Sequence, residues 1–444
     1  MHFDEALRYL LSLGHETLAL KLGLRTTELL LHALGDPQTS FPSVQIAGTN
    51  GKGSTAVVLD SICRAAGIKT GLFTSPHLVS ITERIRIDGQ EVSQPAFAEL
   101  ITTVRDRAQY LVNAGELAAL PTFFEQVTAS ALLAFKHAGV DLAILETGLG
   151  GRLDSTTVAR AETIAITPIA LDHQEYLGET LAQIAAEKAA IIRPNVTAVV
   201  APQAQAALDV ILQRCEDVDV TPRLDGCRAQ ILGATSDGRM RVTFETDEDC
   251  YPEVLLGLRG RHQVTNVSLA IQLAESLRER GFQVPRAAII QGLEQAQHPG
   301  RLELREGQPP ILFDGAHNPA GACALGQYLD EFVTRPITLV FGAMRDKHLQ
   351  EMAGALFPRA HRLILTQPDN SRAASVEMLQ KYAGNGSEQI SSEPSAKRAI
   401  GLAFNQTPAD GLISVTGSLY LVGEIREVLD RNHSERVAKQ EPAQ

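Results

Sequence analysis

Val44-Gln45-Ile46-Ala47-Gly48-Thr49-Asn50-Gly51-Lys52-Gly53-Ser54 decides how this 444-residue chain is read. Residues 44–47 read as a short buried strand. The glycines at 48, 51 and 53 let the backbone turn tightly and offer N–H groups to an anion. After Ser54, the apolar residues Val58, Leu59, Ile62, Cys63 and Ala66 recur at helical spacing. Strand, glycine loop, lysine and helix N-terminus together make a phosphate cradle, with the helix dipole favouring negative charge. Asn50, Gly51, Lys52, Gly53 and Ser54 would line it, Lys52 on the β- and γ-phosphates of a nucleotide. A hydroxyl of Ser54 or Thr55 would lie near the nucleotide's magnesium. The plain alternative is a glycine-rich turn with no special chemistry.

The loop departs from the strict G-x-x-x-x-G-K-[ST] pattern, which would need Gly at 46 and Ser or Thr at 53, where Ile46 and Gly53 stand. Gly-Thr-Asn-Gly-Lys followed by small and hydroxyl residues resembles the loop of the Mur ligase superfamily, ATP-dependent amide-forming enzymes.

The length calls for two or three domains. Hydrophobic content of 44% and a mean hydropathy of −0.02 fit an ordinary globular protein. Forty basic against 52 acidic residues argue against general nucleic-acid affinity, so an anionic ligand needs local positive charge. The five cysteines form no CxxC pair and match no zinc spacing, which suits reduced thiols in the cytosol. Asp4, Glu5 and Glu16 among the first 30 residues do not read as a signal peptide. No stretch approaches ~18 uninterrupted apolar residues, so no membrane span is expected. The expectation is a cytoplasmic protein, and with no heptad or large apolar patch, a monomer.

Along the chain, residues 4–12 and 26–34 have helical periodicity, separated by Gly14 and Lys21-Leu22-Gly23-Leu24. Strands are predicted at 69–73, 142–145, 164–167 and 196–201, and a hairpin turn at Gly89 between residues 83–88 and 91–93. Helices are predicted at 95–113, from Thr122 onward, and at 180–192 before Pro194. Strands alternating with helices mean a parallel sheet covered on both faces, the doubly wound class, whose ligands bind at the carboxyl ends of the strands. Gly48 to Ser54, Ser75, Glu146 and His173 all lie just past such ends, so one crevice could collect them. Residues 239–245 alternate like an antiparallel strand, a helix follows from 266 to 280, and Gln295 to Arg301 is the candidate linker. Four more strand–loop units (strands 311–313, 337–341, 362–365 and 412–415) make a second, smaller α/β domain with a Rossmann-like pattern. The expected division is 1–296, a P-loop ATP-binding domain with a mostly parallel sheet; 297–437, a C-terminal domain; and 438–444, a polar tail.

Glu146, a carboxylate at a strand end beside a phosphate loop, suits Mg²⁺, which takes oxygen ligands together with nucleotide phosphates. His173 could join it or be a loop hydrogen-bonder, with Asp172 beside it to orient the imidazole. Lys188 reads by default as a solvated helical lysine. Asp314 and His317 follow a strand near Asn318-Pro319, a polar cluster that suggests a site. Arg301 could carry a guanidinium to phosphates, and Phe123 or Phe124, ordinarily core, could stack on a planar heterocycle.

Further motifs agree in order along nearly the whole chain: Thr74-Ser75-Pro76-His77-Leu78, Glu83-Arg84-Ile85-Arg86, Thr122-Phe123-Phe124-Glu125 and residues 145–154. Leu171-Asp172-His173, Glu187-Lys188-Ala189, His262-Gln263, Pro299-Gly300-Arg301, residues 314–319 and Asp346-Lys347 continue the series. This combination resembles the folylpolyglutamate synthase family, including its bacterial members that double as dihydrofolate synthase. The resemblance implies an ATP-dependent ligase that phosphorylates a folate or pteroate carboxylate and lets the amine of L-glutamate attack the acyl phosphate. It further implies that Ser75, Glu146 and His173 surround one magnesium, and that a carbamylated Lys188 serves a second. Asn266, Arg301 and Asp314 would contact ATP. Thr122, Phe123, Phe124, Glu125, Leu153, Asp154 and Ser155 would border the pterin or its benzoate, with His317 and Ser418 near the glutamate side. Lys52, Lys188, His173, Asp314 and His317 would carry the catalysis, with dihydropteroate, reduced folates or both as acceptors. Closure of the second domain would exclude water from the acyl phosphate.

The chain departs from the family pattern at four positions. Ser155 and Thr157 stand where Ala and Asn are usual, Ala190 where Gly is, and Thr82 where Asn is. Rival readings are a peptidoglycan-precursor ligase, for whose UDP-sugar domain the 47 residues before Gly48 are too few, a generic P-loop ATPase, and a non-catalytic nucleotide binder.

Overall fold

The computed structural model describes residues 1–14, 23–384 and 389–440, with side chains described as far as residue 431. Lys21-Leu22 of the first predicted break and the end of the polar tail lie outside the described residues.

The first sheet has eight strands: β1 (Ser43–Ala47), β2 (Thr70–Phe73), β3 (Ile85–Ile87), β4 (Gln90–Glu91), β5 (Leu142–Glu146), β6 (Thr163–Ile166), β7 (Thr197–Val200) and β8 (Arg223–Leu224). Their order is β4-β3-β2-β5-β1-β6-β7-β8, parallel from β2 to β8 and antiparallel at the β2-β3-β4 edge. β1 and β5 are buried along their whole lengths, as strands covered on both faces must be. Helices α1 (Phe3–Ser12), α2 (Arg25–Ala33), α3 (Lys52–Ala65), α4 (Gln94–Asn113) and α5 (Phe123–Ala138) come before β6. α6 (Gln174–Leu177), α7 (Leu181–Ala189) and α8 (Gln205–Asp217) follow it. One core joins apolar residues of α1, α2, α4 and α5 to Phe73, Ala143 and Leu145, and another joins α7 and α8 to Ala47, Ile164 and Ile166.

A three-stranded sheet follows: β9 (Cys227–Ala234), β10 (Arg239–Thr246) and β11 (Cys250–Arg259), in the order β11-β10-β9. After α9 (His262–Glu279) and α10 (Arg286–Gln295), six strands make the last sheet. They are β12 (Glu303–Arg305), β13 (Ile311–Phe313), β14 (Ile337–Phe341), β15 (Arg362–Gln367), β16 (Ile390–Ser395) and β17 (Leu412–Thr416). Their order is β12-β13-β17-β14-β15-β16, parallel except at β12. α11 (Pro319–Phe332), α12 (Leu349–Leu356), α13 (Val376–Gln380), α14 (Ala396–Gln406) and α15 (Leu419–Gln440) complete this part. The chain separates into two compact units: residues 1–231, 242–255 and 264–296, and residues 232–241, 256–263 and 297–444. Both units have the mixed α/β architecture with largely parallel sheets that the alternation of strands and helices implied. No helix among the described residues is long and apolar enough to cross a membrane.

Local chemistry moves some boundaries. Residues 83–84 belong to a 3-10 turn rather than to the hairpin strand, because Glu83 accepts the amides of Leu78, Val79 and Ser80 at 2.8, 2.7 and 2.7 Å. α7 stops at Ala189 and tightens through i→i+3 bonds, Ile191 N–H to Lys188 O and Ile192 N–H to Ala189 O, before Pro194. α9 begins at His262, four residues before the expected start. α8, α10, β12 and β16 were not anticipated.

Candidate active site

The carboxyl end of β1 lies between β5 and β6, where the strand order reverses, and there the chain makes its phosphate-type loop. Gly51 is the N-cap of α3 at φ 92°, and a Cβ on it would lie 2.1 Å from Asn266 Oδ1. Only glycine fits that conformation and that space. Thr49 and Asn50 both donate their amides to Pro168 O at 3.1 Å, so the loop's rim is tied to the segment after β6. An anion is then met by the first turn of α3 from Lys52 onward, where backbone N–H groups point out of the helix. Lys52 Nζ lies 3.3 Å from Thr49 O. Thr55 is fully buried with its hydroxyl on Asn266 O, which leaves Ser54 as the hydroxyl at the loop.

Lys188 corrects the residue-level expectation. It is only 4% exposed, and its Nζ donates to Gly48 O at 2.7 Å. Burial, reinforced by the positive charge of Lys52, lowers its pKa to about 7, against the opposing pull of Asp172 and Asp154. A helical lysine at i, with Ile184 and Ala185 buried on the same face, is carried inward by the packing of α7.

Glu146, at the end of β5, is 5% exposed and its Oε2 accepts the Ser75 amide at 3.0 Å. Asp172 is 7% exposed, and His173 takes a left-handed backbone at φ 50° with its N–H on Asp172 Oδ1 at 2.9 Å. Among the described residues no three His, Cys, Asp or Glu side chains form a ready-made metal cage. The donors offered here, the Glu146 carboxylate and the Ser75 hydroxyl, are of the oxygen type that Mg²⁺ takes, and Thr147 beside Glu146 has a buried hydroxyl with no hydrogen-bond partner.

The predicted aromatic edge is assembled at the N-terminus of α5. Thr122 and Glu125 form a capping box, with the Glu125 amide on Thr122 Oγ1 at 3.3 Å and the Thr122 amide on Glu125 Oε2 at 2.7 Å. Phe124 occupies the space in front of Gly148, where a Cβ would meet its ring at 2.5 Å. The Arg84 guanidinium lies 5.4 Å from the Phe123 ring centre and donates to His77 Nδ1 at 2.8 Å, which links this edge to the loop after β2. Asp154 holds the 148–157 loop: its Oδ2 accepts Gly148 and Leu149 amides at 2.8 and 3.0 Å, and its Oδ1 accepts the Thr156 amide at 3.0 Å. Burial raises the Asp154 pKa against those bonds. Sequence reasoning missed Thr27 on α2, whose hydroxyl donates to Glu125 Oε1 at 3.2 Å and lies 3.4 Å from Ser155 Oγ. It also missed Gln45, which donates to the hydroxyls of Thr156 and Thr157. Thr27 lies in no motif and Gln45 is read from the sequence only as part of a buried strand; only folding brings them to the loop.

In the second unit, Asp314 accepts the amides of Leu302 and Ala316, both at 2.9 Å, and burial raises its pKa while Arg301 lowers it. Arg301 Nη1 donates to Gly315 O at 3.2 Å, and His317 Nδ1 lies 2.8 Å from the same carbonyl. Arg301, Asp314 and His317 thus form one cluster at the end of β13. Ser418 lies two residues past the end of β17, the parallel neighbour of β13, and its Oγ accepts the Tyr420 amide at 3.1 Å.

A family model described as the Mur ligase middle domain matches residues 46–274, and one described as the Mur ligase glutamate ligase domain matches residues 300–419. A probable bifunctional folylpolyglutamate synthase/dihydropteroate synthase of Haloferax volcanii is 35% identical over 437 residues, covering 97% of this chain. The chain spans about half that relative's length (51%). The dihydrofolate synthase/folylpolyglutamate synthase of Bacillus subtilis is 34% identical, covering 94% of this chain and 97% of its own. Among solved structures, an Escherichia coli protein in complex with DHPP and ADP superposes with a TM-score of 0.86 at 30% identity, over 98% of this chain and 99% of that one. The fold, the order of its motifs and these matches agree, and the chain belongs to the Mur ligase superfamily, in its folylpolyglutamate synthase/dihydrofolate synthase family.

Proposed function

We propose that the protein is an ATP-dependent, ADP-forming ligase that joins L-glutamate to dihydropteroate, making dihydrofolate, and to reduced folates, making polyglutamates. The observation that carries this reading is the pairing of a glycine loop and Lys52 at the start of α3 with a buried Lys188 against Gly48 O, its pKa lowered to about 7. That arrangement suits the handling of polyphosphate charge, and the Escherichia coli relative binds ADP and DHPP.

In this reading the substrate carboxylate attacks the γ-phosphorus of ATP, ADP leaves, and an acyl phosphate forms. The glutamate amine then attacks the acyl carbon, loses a proton, and expels phosphate. Two magnesium ions, when bound, would supply positive charge to the phosphate oxygens and reduce repulsion between the reacting anions. Ser75, Glu146 and His173 would hold one. Lys188, as its carbamate, would serve the other: the neutral amine adds to CO₂ and releases a proton, giving an anionic oxygen ligand. Asn50, Gly51, Lys52, Gly53, Ser54 and Asn266 would hold ATP, together with Arg301 and Asp314 from the second unit. Thr122 to Glu125 and Leu153 to Ser155 would take the pterin and its benzoate, and His317 and Ser418 the glutamate. Residues 1–296 would then be the nucleotide-binding domain and 297–437 the glutamate-ligase domain.

A phosphate-release assay with ATP, magnesium and glutamate tests this, offering dihydropteroate and tetrahydrofolate in turn and reading the product mass. Both acceptors should gain one glutamyl unit per phosphate released. Extension of tetrahydrofolate alone would reduce the protein to a polyglutamate synthase, and phosphate release without ligation would refute the reading. Lys52→Ala should lower turnover by at least ~10²-fold, as for loss of one preorganised electrostatic contact. Near-normal turnover at saturating ATP would refute the phosphate-loop assignment.

A further inference from the structure

We propose that Thr27, acting with Ser155 on Glu125, is the positioning residue that sets recognition at the pteridine end of the acceptor. The inference rests on the ligase reading above and adds to it a residue, Thr27, outside every motif in the sequence.

Three buried side chains from distant segments meet here. Thr27 on α2 is 1% exposed, Ser155 in the turn after Asp154 is 4% exposed, and Glu125 in the first turn of α5 is 6% exposed. Thr27 Oγ1 lies 3.2 Å from Glu125 Oε1 and 3.4 Å from Ser155 Oγ, while Glu125 Oε2 accepts the Thr122 amide at 2.7 Å. A carboxylate only accepts, so Thr27 donates to Glu125. The Thr27 hydroxyl has one proton, so toward Ser155 it accepts, and Ser155 donates. Bond direction is thereby set along the whole chain, Ser155 to Thr27 to Glu125. Glu125 is held by a bond on each oxygen, and the proton of Ser155 is committed inward, away from any acceptor on a ligand.

The consequence is chemical. The rim around Phe124 is bordered by the buried Glu125 carboxylate, each of whose oxygens takes one bond and keeps capacity for another, and by the Ser155 hydroxyl, whose remaining capacity is to accept; Asp154 beside them is filled by Gly148, Leu149 and Thr156. A pteridine presents N–H donors from its ring and its amino group, and an edge of aimed acceptors complements them. Aiming matters because a carboxylate free to rotate loses part of the geometric advantage of a charged hydrogen bond.

The test compares the parent with Thr27→Val, Ser155→Ala, the double variant and Thr27→Ser, reading KM for dihydropteroate, ATP and glutamate separately, with thermal midpoints alongside. Thr27→Val should raise KM for dihydropteroate about tenfold and leave those for ATP and glutamate within about twofold, as for loss of a hydrogen bond to a charged group. Thr27→Ser should restore the parent value. The double variant should be no worse than Thr27→Val alone, since both changes break one chain. Parallel rises in all three KM values, a fall in midpoint with no change for dihydropteroate, or additive effects of the two substitutions would each overturn the proposal. Calorimetric titration of dihydropteroate separates the proposal from the ligase reading. Binding by the parent, weakened about tenfold in Thr27→Val, supports the role of Thr27 even if no dihydrofolate forms, whereas no binding by the parent overturns both.

Discussion

At Lys188 an amine is held where water scarcely reaches, 2.7 Å from a backbone carbonyl, with its pKa lowered to about 7 by burial and by Lys52. An ordinary lysine at pH 7 has roughly one amine in three thousand unprotonated, whereas one with such a pKa has about half. That is the form that reacts with CO₂. If Lys188 serves as the proposed carbamate, Lys188→Ala should lose most activity and regain part of it with formate or acetate, which would take the place of that oxygen ligand. Lys188→Arg should not be rescued, because a permanent cation fills the space. Parent-like activity of Lys188→Ala without added acid would reduce the residue to packing. Stability offers a second reading in CO₂-free buffer. Between pH 7 and the ordinary lysine value of 10.5 the unfolded chain binds more protons at this position than the folded one, so this group makes stability rise with pH across that window. The midpoint of the parent relative to Lys188→Met should therefore climb from pH 7 to pH 10. A flat difference would show that the amine is not desolvated.

At the scale of elements, the start of α3 and the start of α5 are built by opposite means. α5 begins with a capping box, Thr122 and Glu125 satisfying each other's amides, and so needs no ligand to be complete. α3 begins at a left-handed glycine with no side-chain cap, which leaves its positive end to be met by an anion. Gly51→Ala should be damaging twice over, through the φ of 92° and through the overlap with Asn266 Oδ1. The expected outcome is loss of ATP-analogue binding by at least tenfold with a lower midpoint. Unchanged affinity would mean that the loop rearranges freely. Thr122→Ala should cost about 1 kcal/mol of stability through the lost cap, measurable as a lower denaturation midpoint.

For the whole molecule, each compact unit has its own apolar interior. The first holds two cores, one around Phe73, Phe97 and Phe135 and one around Ile164, Ile166 and Ile184, and the second is centred on Phe341, Leu339, Leu356 and Leu365. Units with separate cores need not unfold together, and calorimetry should resolve more than one transition. An ATP analogue with magnesium should raise the transition of the unit carrying Lys52 by mass action. A single two-state transition that does not respond to nucleotide would contradict both statements.

Much of the architecture was written locally. The short apolar runs at β1, β5 and β6, the helical periodicity between them and the turn glycines are all near-neighbour signals, and they suffice for a doubly wound sheet with its ligand loops at the strand ends. The phosphate-type loop was legible for the same reason, since strand, glycines, lysine and helix are contiguous. Lys188 was misread from composition alone because its neighbours on α7 do not reveal which face turns inward; packing on the sheet made it a buried amine. Thr27 carried no signal at all, lying 98 residues from Glu125 and 128 from Ser155 in the chain. Hydrogen bonds between side chains so far apart exist only after the chain has closed those loops. The sequence by itself determined the alternation of strands and helices and the contiguous glycine loop after β1, and the tertiary structure decided which polar side chains lose water together, and so which of them have their chemistry changed.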